Sequence, residues 1–218
     1  MTLYSGKSLP NNVIKILKTM GDAEISNIDI VRTPLSTGLK VVLNLISLGN
    51  FQKRLNQLPY DELYHLALIL NTSKGKFVLE KNELINMKKF TSNSKNTEIR
   101  TISSIPKGLT ANIILAKTKQ NMGGKFLSYS GYDNNCQTFV YAALISNGLG
   151  DSETKQFVLQ DTQHLFKNDS RFRKLLNTIT DTAEVKTRIQ QNPIVSRISH
   201  KFFPSIGGLF EPLVNIKL

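Results

Sequence analysis

Cysteine is almost absent from this sequence: Cys136 is the only one among 218 residues. No intrachain disulfide can form, so the fold must be stable without covalent cross-links, as is usual in a reducing compartment. The chain also has only three histidines, and neither they nor Cys136 stand at the spacing of zinc ligands. We therefore expect no structural metal, no cofactor, and an intracellular, cytoplasmic location.

Long apolar segments are lacking as well. No stretch approaches the roughly 18 uninterrupted apolar residues that a membrane-spanning helix needs. The first ten residues do not contain the apolar region of a secretory signal. These absences favour a protein that neither crosses a membrane nor enters the secretory pathway.

Acidic residues are scarce relative to basic ones, 16 against 28, which gives a net charge of +12. Hydrophobic residues make up 40% of the chain, which is typical of a globular protein. An excess of positive charge attracts polyanions, which include nucleic acid, an anionic membrane surface and acidic proteins. The simpler alternative is that the many lysines only keep the chain soluble.

The pattern of apolar residues divides the chain into a mixed, mainly helical segment (1–58), a core (59–150) and a helical extension with an apolar tail (151–218). Helices are predicted at residues 11–20, 36–48, 51–58, 109–122, 135–147, 154–166, 170–179 and 182–191. Strands are predicted at residues 28–31, 63–70 and 77–87, with a six-residue hairpin loop at 71–76 and a further loop at 88–97.

Cys136 lies in the first turn of the helix predicted at 135–147, with Asn134 as its cap and Gln137 completing a capping box. The free N–H groups and the positive end of the helix dipole favour a thiolate, which is the nucleophilic form of cysteine. The same N–H groups can hold an oxyanion after the sulfur attacks a carbonyl. The alternative is a small core residue, because Cys136 shares a helical face with Val140 and Ala143.

His65 lies inside the apolar run of residues 63–70, where a titratable ring is unusual and requires an explanation. A general base facing a cysteine is one explanation, and a core histidine bonded to a backbone carbonyl is the other. On the opposite arm of the hairpin, Glu80 and Asn82 are two residues apart and should share a face, so either could orient the imidazole. The alternative is that both belong to a solvated strand end.

These residues resemble the circularly permuted NlpC-type papain-like enzymes, the group that includes the lecithin:retinol acyltransferase-like proteins. In that group the histidine strand precedes the cysteine helix, as His65 precedes Cys136 here. The helix motif Asn-Cys-x-x-Phe-Val matches residues 135–140, and the short apolar strand after the histidine matches residues 66–70. The resemblance covers residues 60–150 and implies an α+β fold, with a small antiparallel sheet packed on the cysteine helix and flanking helices.

The resemblance implies a cysteine hydrolase or acyltransferase that attacks an amide or ester carbonyl through a thioester. Counted along the family pattern, the third residue is Glu80, where the acyltransferase-like members have histidine. This departure leaves the substrate open between a peptide or amide and an acyl lipid. The amphipathic stretch 36–48 and the basic charge suit an anionic membrane surface or an acidic protein partner.

Two alternatives of other classes remain at this stage. The chain could be a non-catalytic structural or binding protein that keeps the fold, such as a virion component, since permuted members also occur in large DNA viruses. It could also bind nucleic acid, because residues 51–54 and 88–90 place aromatic rings beside cations. No recognised nucleic-acid motif accompanies them, so this is the least favoured alternative.

Overall fold

The computed structural model describes residues 8–35, 50–57, 62–82, 84–130 and 133–160. The helices predicted at 36–48, 170–179 and 182–191, the tail from residue 193, and His164 and His200 all lie outside the described residues. The chain divides into two compact units, Met1–Pro34 with Tyr64–Asp161 and Leu35–Leu63 with Thr162–Leu218. The first unit contains all four candidate site residues.

The first unit is built on a five-stranded antiparallel sheet. Its strands are β1 (Ile25–Pro34), β2 (Tyr64–Thr72), β3 (Gly75–Lys81), β4 (Ile85–Lys89) and β5 (Glu98–Ile102). Their order is β4-β3-β2-β1-β5, so β2 is the central strand. Strand β1, which the sequence placed only at 28–31, is longer at both ends because it pairs with β2 on one side and β5 on the other. The unit therefore uses residues on both sides of the predicted boundary at residue 58.

The helices of this unit are α1 (Asn11–Met20), α2 (Ala111–Met122), α3 (Cys136–Ile145) and α4 (Ser152–Val158). The first three confirm the helices predicted at 11–20, 109–122 and 135–147. Helix α3 packs on β2 and β3, and α1 packs on β4. The mixed α+β class and the antiparallel sheet packed on the cysteine helix are thus both observed.

The apolar run of β2 reflects its central position in the sheet. Leu66, Leu68 and Leu70 on one face are fully buried, and Ala67 and Ile69 on the other are 7% and 3% exposed. Because both faces are buried, residues 66–70 in the middle of the strand are all apolar and do not alternate with polar residues. This burial is also why a histidine near the start of the strand is unusual.

The predicted six-residue hairpin loop is wrong. Strands β2 and β3 pair as far as Thr72 and Gly75, which leaves a two-residue turn, and Gly75 takes the positive φ of 114° that favours glycine. Asn71, which resembled a turn residue, remains in β2 and donates its side-chain N–H to Asp29 at 3.0 Å. Its polar group is therefore satisfied within the sheet.

The single strand predicted at 77–87 is two strands, because the chain turns between Lys81 and Ile85. Lys88 and Lys89 consequently belong to β4, and only the rest of the predicted loop at 88–97 lies outside a strand. The helix predicted at 154–166 ends at Val158, because Leu159 is extended, with φ −96° and ψ 121°.

Less of the second unit is described. A short helix, Asn50–Leu55, corresponds to the helix predicted at 51–58. The backbone N–H of Leu35 donates to the carbonyl oxygen of Leu63 at 2.8 Å. Across the described ranges of both units, no helix is long and apolar enough to cross a membrane.

Candidate active site

The ladder between β2 and β3 brings His65 and Glu80 together. Ala67 lies directly opposite Glu80, and His65 precedes Ala67 by two residues, so the three share one face of the sheet. Nε2 of His65 lies 3.0 Å from Oε2 of Glu80. The predicted contact between the histidine and a polar group on the neighbouring strand is therefore present.

Glu80 is buried, at 6% exposure, and both of its oxygens have partners. Oε1 accepts a hydrogen bond from Asn86 at 3.1 Å and lies 3.2 Å from Nζ of Lys88. Burial alone would raise the pKa of Glu80, but the hydrogen bond and charge of His65, followed by those of Lys88, lower it to about 2. Glu80 is thus a fixed carboxylate throughout the neutral range.

Asn82, the second candidate for this role, is not in β3. The strand ends at Lys81, and Asn82 lies in the turn before β4 with an exposed side chain. The expectation that it shares a strand face with Glu80 is therefore wrong, because the alternation of side chains stops where the strand stops. The contact with His65 belongs to Glu80.

Cys136 lies in the first turn of α3, as the sequence indicated, but it is the first residue of the helix and the cap is different. Asn135 and not Asn134 is the N-cap: its side-chain oxygen accepts from the backbone N–H groups of Gln137 at 3.0 Å and Thr138 at 3.2 Å. Gln137 does not complete a capping box, since its amide bonds elsewhere. Cys136 is therefore held at the capped end of a helix, where partial positive charge is concentrated.

Cys136 and His65 interact directly and shift each other's pKa. Burial alone would lower the pKa of His65, but the charge of Cys136 and hydrogen bonds with Cys136 and Glu80 raise it to about 10. Burial alone would raise the pKa of Cys136, yet His65 and the backbone N–H groups of Leu66 and Gln137 lower it. Both shifts are in the direction that favours an imidazolium–thiolate pair over the neutral imidazole and thiol.

Exposure in the site is unequal. Cys136 is 8% exposed and belongs to the same core as Val140 and Ala143, so part of the core interpretation is correct. The His65 side chain remains 29% exposed, although it packs densely against Cys136 and Glu80. Solvent therefore reaches the imidazole of His65 more readily than it reaches Cys136.

Sequence reasoning did not find Gln160, whose amide is hydrogen-bonded to residues next to both His65 and Cys136. Gln160 accepts from the backbone N–H of Tyr64 at 2.9 Å and from the side chain of Gln137 at 3.0 Å, and it donates its own backbone N–H to Gln137 at 2.9 Å. Tyr64 precedes His65 and Gln137 follows Cys136, so Gln160 links the neighbours of both. Gln160 lies beyond the predicted core boundary at residue 150, and nothing local in the sequence marks it.

Lys81 was also missed, although a signal existed. It lies next to Glu80 and shares the alternation of Phe77 and Leu79, so the period of the strand places it on the inward face. It is completely buried, and its ammonium group donates to the carbonyl oxygen of Lys125 at 2.9 Å and to Oδ1 of Asn134 at 3.2 Å.

In the part of the chain that the structure describes, no group of three or more His, Cys, Asp or Glu side chains could hold a metal ion. Comparison of the chain with family models, curated proteins and solved structures finds no match.

Proposed function

We propose that this chain is a cysteine-nucleophile hydrolase or acyltransferase with a permuted papain-like core. The observation that carries the proposal is the position of His65, whose ring contacts the Cys136 sulfur and whose Nε2 lies 3.0 Å from the buried carboxylate of Glu80. The residues have the order and setting of a nucleophile, a base and an orienting group. The histidine strand precedes the cysteine helix, which agrees with the permuted order of the family that the motifs resemble.

Glu80 fixes the orientation of the imidazole. Its carboxylate accepts a hydrogen bond from the proton-bearing Nε2 of His65. Nδ1 is then the ring nitrogen that faces the sulfur of Cys136. Asn86 and Lys88 hold the carboxylate in turn. This arrangement stabilises the imidazolium and keeps the reactive nitrogen aimed at the nucleophile, as the acidic member of a catalytic triad does.

In the first step the thiolate of Cys136 attacks the carbonyl carbon of an amide or ester. The imidazolium of His65 then gives its proton to the leaving nitrogen or oxygen, the bond to that atom breaks, and a thioester remains. Once the thiolate charge is gone, the largest influence that raises the His65 pKa is also gone. The neutral imidazole can then take a proton from water or another acceptor, which resolves the thioester and restores the thiolate.

The oxyanion of each tetrahedral intermediate needs hydrogen-bond donors. The sequence suggested the N–H groups at the start of the cysteine helix for this role. Two of them, those of Gln137 and Thr138, already donate to Asn135. None of the described residues accepts a hydrogen bond from the backbone N–H of Cys136 itself. We therefore assign the oxyanion contact to that N–H, at the positive end of α3.

The substrate class stays open between a peptide or amide and an acyl lipid. The net charge of +12 suits a substrate presented on an anionic membrane or within an acidic protein. Vesicles of anionic and neutral lipid separate these cases. Binding to the anionic vesicles that falls as salt rises indicates the membrane, and absence of binding indicates the acidic protein.

A second candidate function is a non-catalytic structural or binding protein, such as a virion component, that keeps this fold. The burial of Cys136 in the core, with 8% exposure, is the observation that favours it. In that case the thiol packs against its neighbours and does not meet substrates.

The decisive experiment is the pH dependence of Cys136 alkylation by iodoacetamide, in the parent and in His65→Ala. Because Cys136 is the only cysteine, the label reports on this site alone. An unperturbed cysteine titrates near ~8.5. We expect the parent rate to persist well below that pH and to fall when His65 is removed. A slow alkylation rate with the pH profile of an ordinary cysteine, unchanged in His65→Ala, would reject the proposed enzymatic function and favour the non-catalytic alternative.

A further inference from the structure

Lys81 is a buried cation that the proposed mechanism does not use. It is the last residue of β3, follows Glu80, and has no exposed surface. Lysine is almost never fully buried unless its charge is paired. Among the described residues, however, no carboxylate lies within ion-pair distance of its Nζ. The ammonium group is instead hydrogen-bonded to neutral groups, and burying a charge in this way costs free energy.

The ammonium group of Lys81 contacts residues on the N-terminal side of Cys136 and one residue in the first turn of α3. Nζ donates to the carbonyl oxygen of Lys125 at 2.9 Å and to Oδ1 of Asn134 at 3.2 Å. It also lies 5.9 Å from the centre of the Phe139 ring, within the first turn of α3. Burial lowers the pKa of Lys81 to about 8, so at neutral pH the group is still mainly charged and donates.

Asn134 extends this contact along the chain. Its side-chain N–H group donates to the carbonyl oxygens of Lys125 at 2.9 Å and Ser128 at 2.7 Å. Its backbone exchanges two hydrogen bonds with Ser130, at 3.0 and 3.1 Å. Residues 125–130 and 133–135, which we call the lead-in segment, are thus gathered around Asn134, two residues before Cys136.

Lys81 therefore connects the strand that carries Glu80 with the segment that leads into α3. Through its own backbone it belongs to the strand that presents Glu80 to His65, and through its ammonium group it holds the segment that enters α3. Glu80 and Lys81 point to opposite faces of β3, so the lysine does not contact the carboxylate. The link between them is the strand itself.

We propose that Lys81 is a positioning residue whose buried ammonium group ties the lead-in segment to β3 and so sets where the Cys136 sulfur meets the imidazole of His65. This inference rests on the proposed function, because it assigns Lys81 a role in activating Cys136. It goes beyond that function by naming the group that holds the nucleophile helix in register with the strand of the orienting carboxylate.

The test compares Lys81→Met, which keeps the length and apolar stem but removes the donors, with the parent. Two quantities are measured on the full chain: hydrogen exchange of the amides in the lead-in segment, and the rate of Cys136 alkylation at pH 6. We expect exchange at Ser130 and Asn134 to accelerate about tenfold or more. We expect alkylation to slow by about tenfold, since a thiol whose pKa has risen to about one unit above the working pH is only about one-tenth ionised.

Leu70→Val is the matched control. It weakens an equally buried position at the other end of β2, far from the site along the strand. It should leave both readouts at the parent value after correction for global unfolding. Asn134→Ala serves as a second variant, because it removes an acceptor of the ammonium group from the opposite side and should reproduce both effects if Lys81→Met fails to fold.

Three results would overturn the inference. The first is unchanged or uniformly faster exchange in Lys81→Met, as in the control; the second is faster exchange in the lead-in segment with an unchanged alkylation profile. Either of these two results would mean that Lys81 contributes only to the stability of the protein, while Cys136 of the parent is still reactive. The third is an ordinary, His65-independent profile in the parent itself, which removes the proposed function and the role of Lys81 with it. The parent profile therefore distinguishes the two failures.

Discussion

Glu80 and His65 are not cross-strand partners, yet Oε2 of Glu80 lies 3.0 Å from Nε2 of His65. The ladder pairs Glu80 with Ala67, and the small side chain of Ala67 leaves the carboxylate free to reach diagonally to the histidine two residues away. The other oxygen is held by Asn86 and Lys88. The carboxylate thus has one orientation, and that orientation determines which nitrogen of His65 faces Cys136.

Glu80→Gln should lower the reactivity of Cys136 by at least about tenfold at pH 6. The amide is neutral, so it supports the imidazolium less, and a lower His65 pKa in turn raises the pKa of Cys136. The measurement is the rate of iodoacetamide alkylation between pH 5 and 9. The inflection should move to higher pH in the variant, while the rate at pH 9 approaches that of the parent.

Asn82→Ala is the control for this prediction, because Asn82 lies in the turn after β3 with an exposed side chain. Its alkylation profile should match the parent. A shift of equal size in both variants would mean that the effect comes from the end of β3 and not from the carboxylate of Glu80.

Glu80 should also stabilise the fold in a pH-dependent way. Its pKa is about 2 in the folded protein and near the ordinary 4.5 when unfolded. Its contribution to the unfolding free energy is therefore complete above the unfolded value and is lost as the pH falls through the folded value. At about 1.4 kcal/mol per pKa unit, a difference of two to three units makes this loss on the order of 3 kcal/mol.

Urea unfolding of the parent and Glu80→Gln at pH 6 and pH 2 measures this contribution. The variant cannot titrate at this position, so its deficit relative to the parent should be large at pH 6 and should shrink toward pH 2. A deficit that stays constant with pH would show that Glu80 acts through packing and not through its charge.

The three residues of the candidate site could be named from the sequence because each has a local signal. His65 interrupts an apolar run, and Cys136 follows a capping asparagine at the start of an apolar helix. Glu80 is one of two candidate polar residues on the neighbouring arm, and the pattern of the family that the motifs resemble favours it over Asn82. Sequence-based assignments were wrong at the ends of helices and strands. Asn82 was included because the strand was predicted to continue past Lys81, and Asn134 was taken as the cap although its neighbour Asn135 is one.

Contacts between distant residues could not be predicted in the same way. The two-residue hairpin turn was missed because Asn71 is typical of turns, and only the position of Asp29 on β1 shows how its amide is satisfied within a strand. Lys81 and Asn134 are 53 residues apart, and Tyr64 and Gln160 are 96 apart. A single sequence contains no periodicity that links such pairs, so the groups supporting the site emerge only from the fold.

Asn135→Ala should destabilise the protein by about 1 kcal/mol, which is the usual loss when an N-cap side chain is removed. It should also reduce the reactivity of Cys136, because the first turn of α3 is no longer held by the bonds to Gln137 and Thr138. Urea unfolding gives the first quantity and alkylation at pH 6 gives the second.

Asn135→Asp separates the two effects. Aspartate is as good an N-cap as asparagine, so stability should return to the parent value. Its negative charge beside the sulfur disfavours the thiolate, so the pKa of Cys136 should rise and alkylation at pH 6 should remain slow. Parent-like reactivity in both variants would mean that the helix end has no part in activating the thiol.

Gln160→Ala should weaken the site without touching a reacting atom. Its side chain accepts hydrogen bonds from Tyr64, next to His65, and from Gln137, next to Cys136, so its loss removes one hydrogen bond from each neighbour. We expect slower alkylation of Cys136 at pH 6 and a coupling energy of roughly 0.5 to 3 kcal/mol with Gln137→Ala in a double-mutant cycle of urea unfolding. Gln120→Ala, on the exposed side of α2, is the matched control and should change neither quantity. If the two substitutions instead change the free energy of unfolding additively, the hydrogen bond between Gln160 and Gln137 does not couple the strand of His65 to the helix of Cys136. Residues beyond the predicted boundary at 150 would then contribute to the site only through packing.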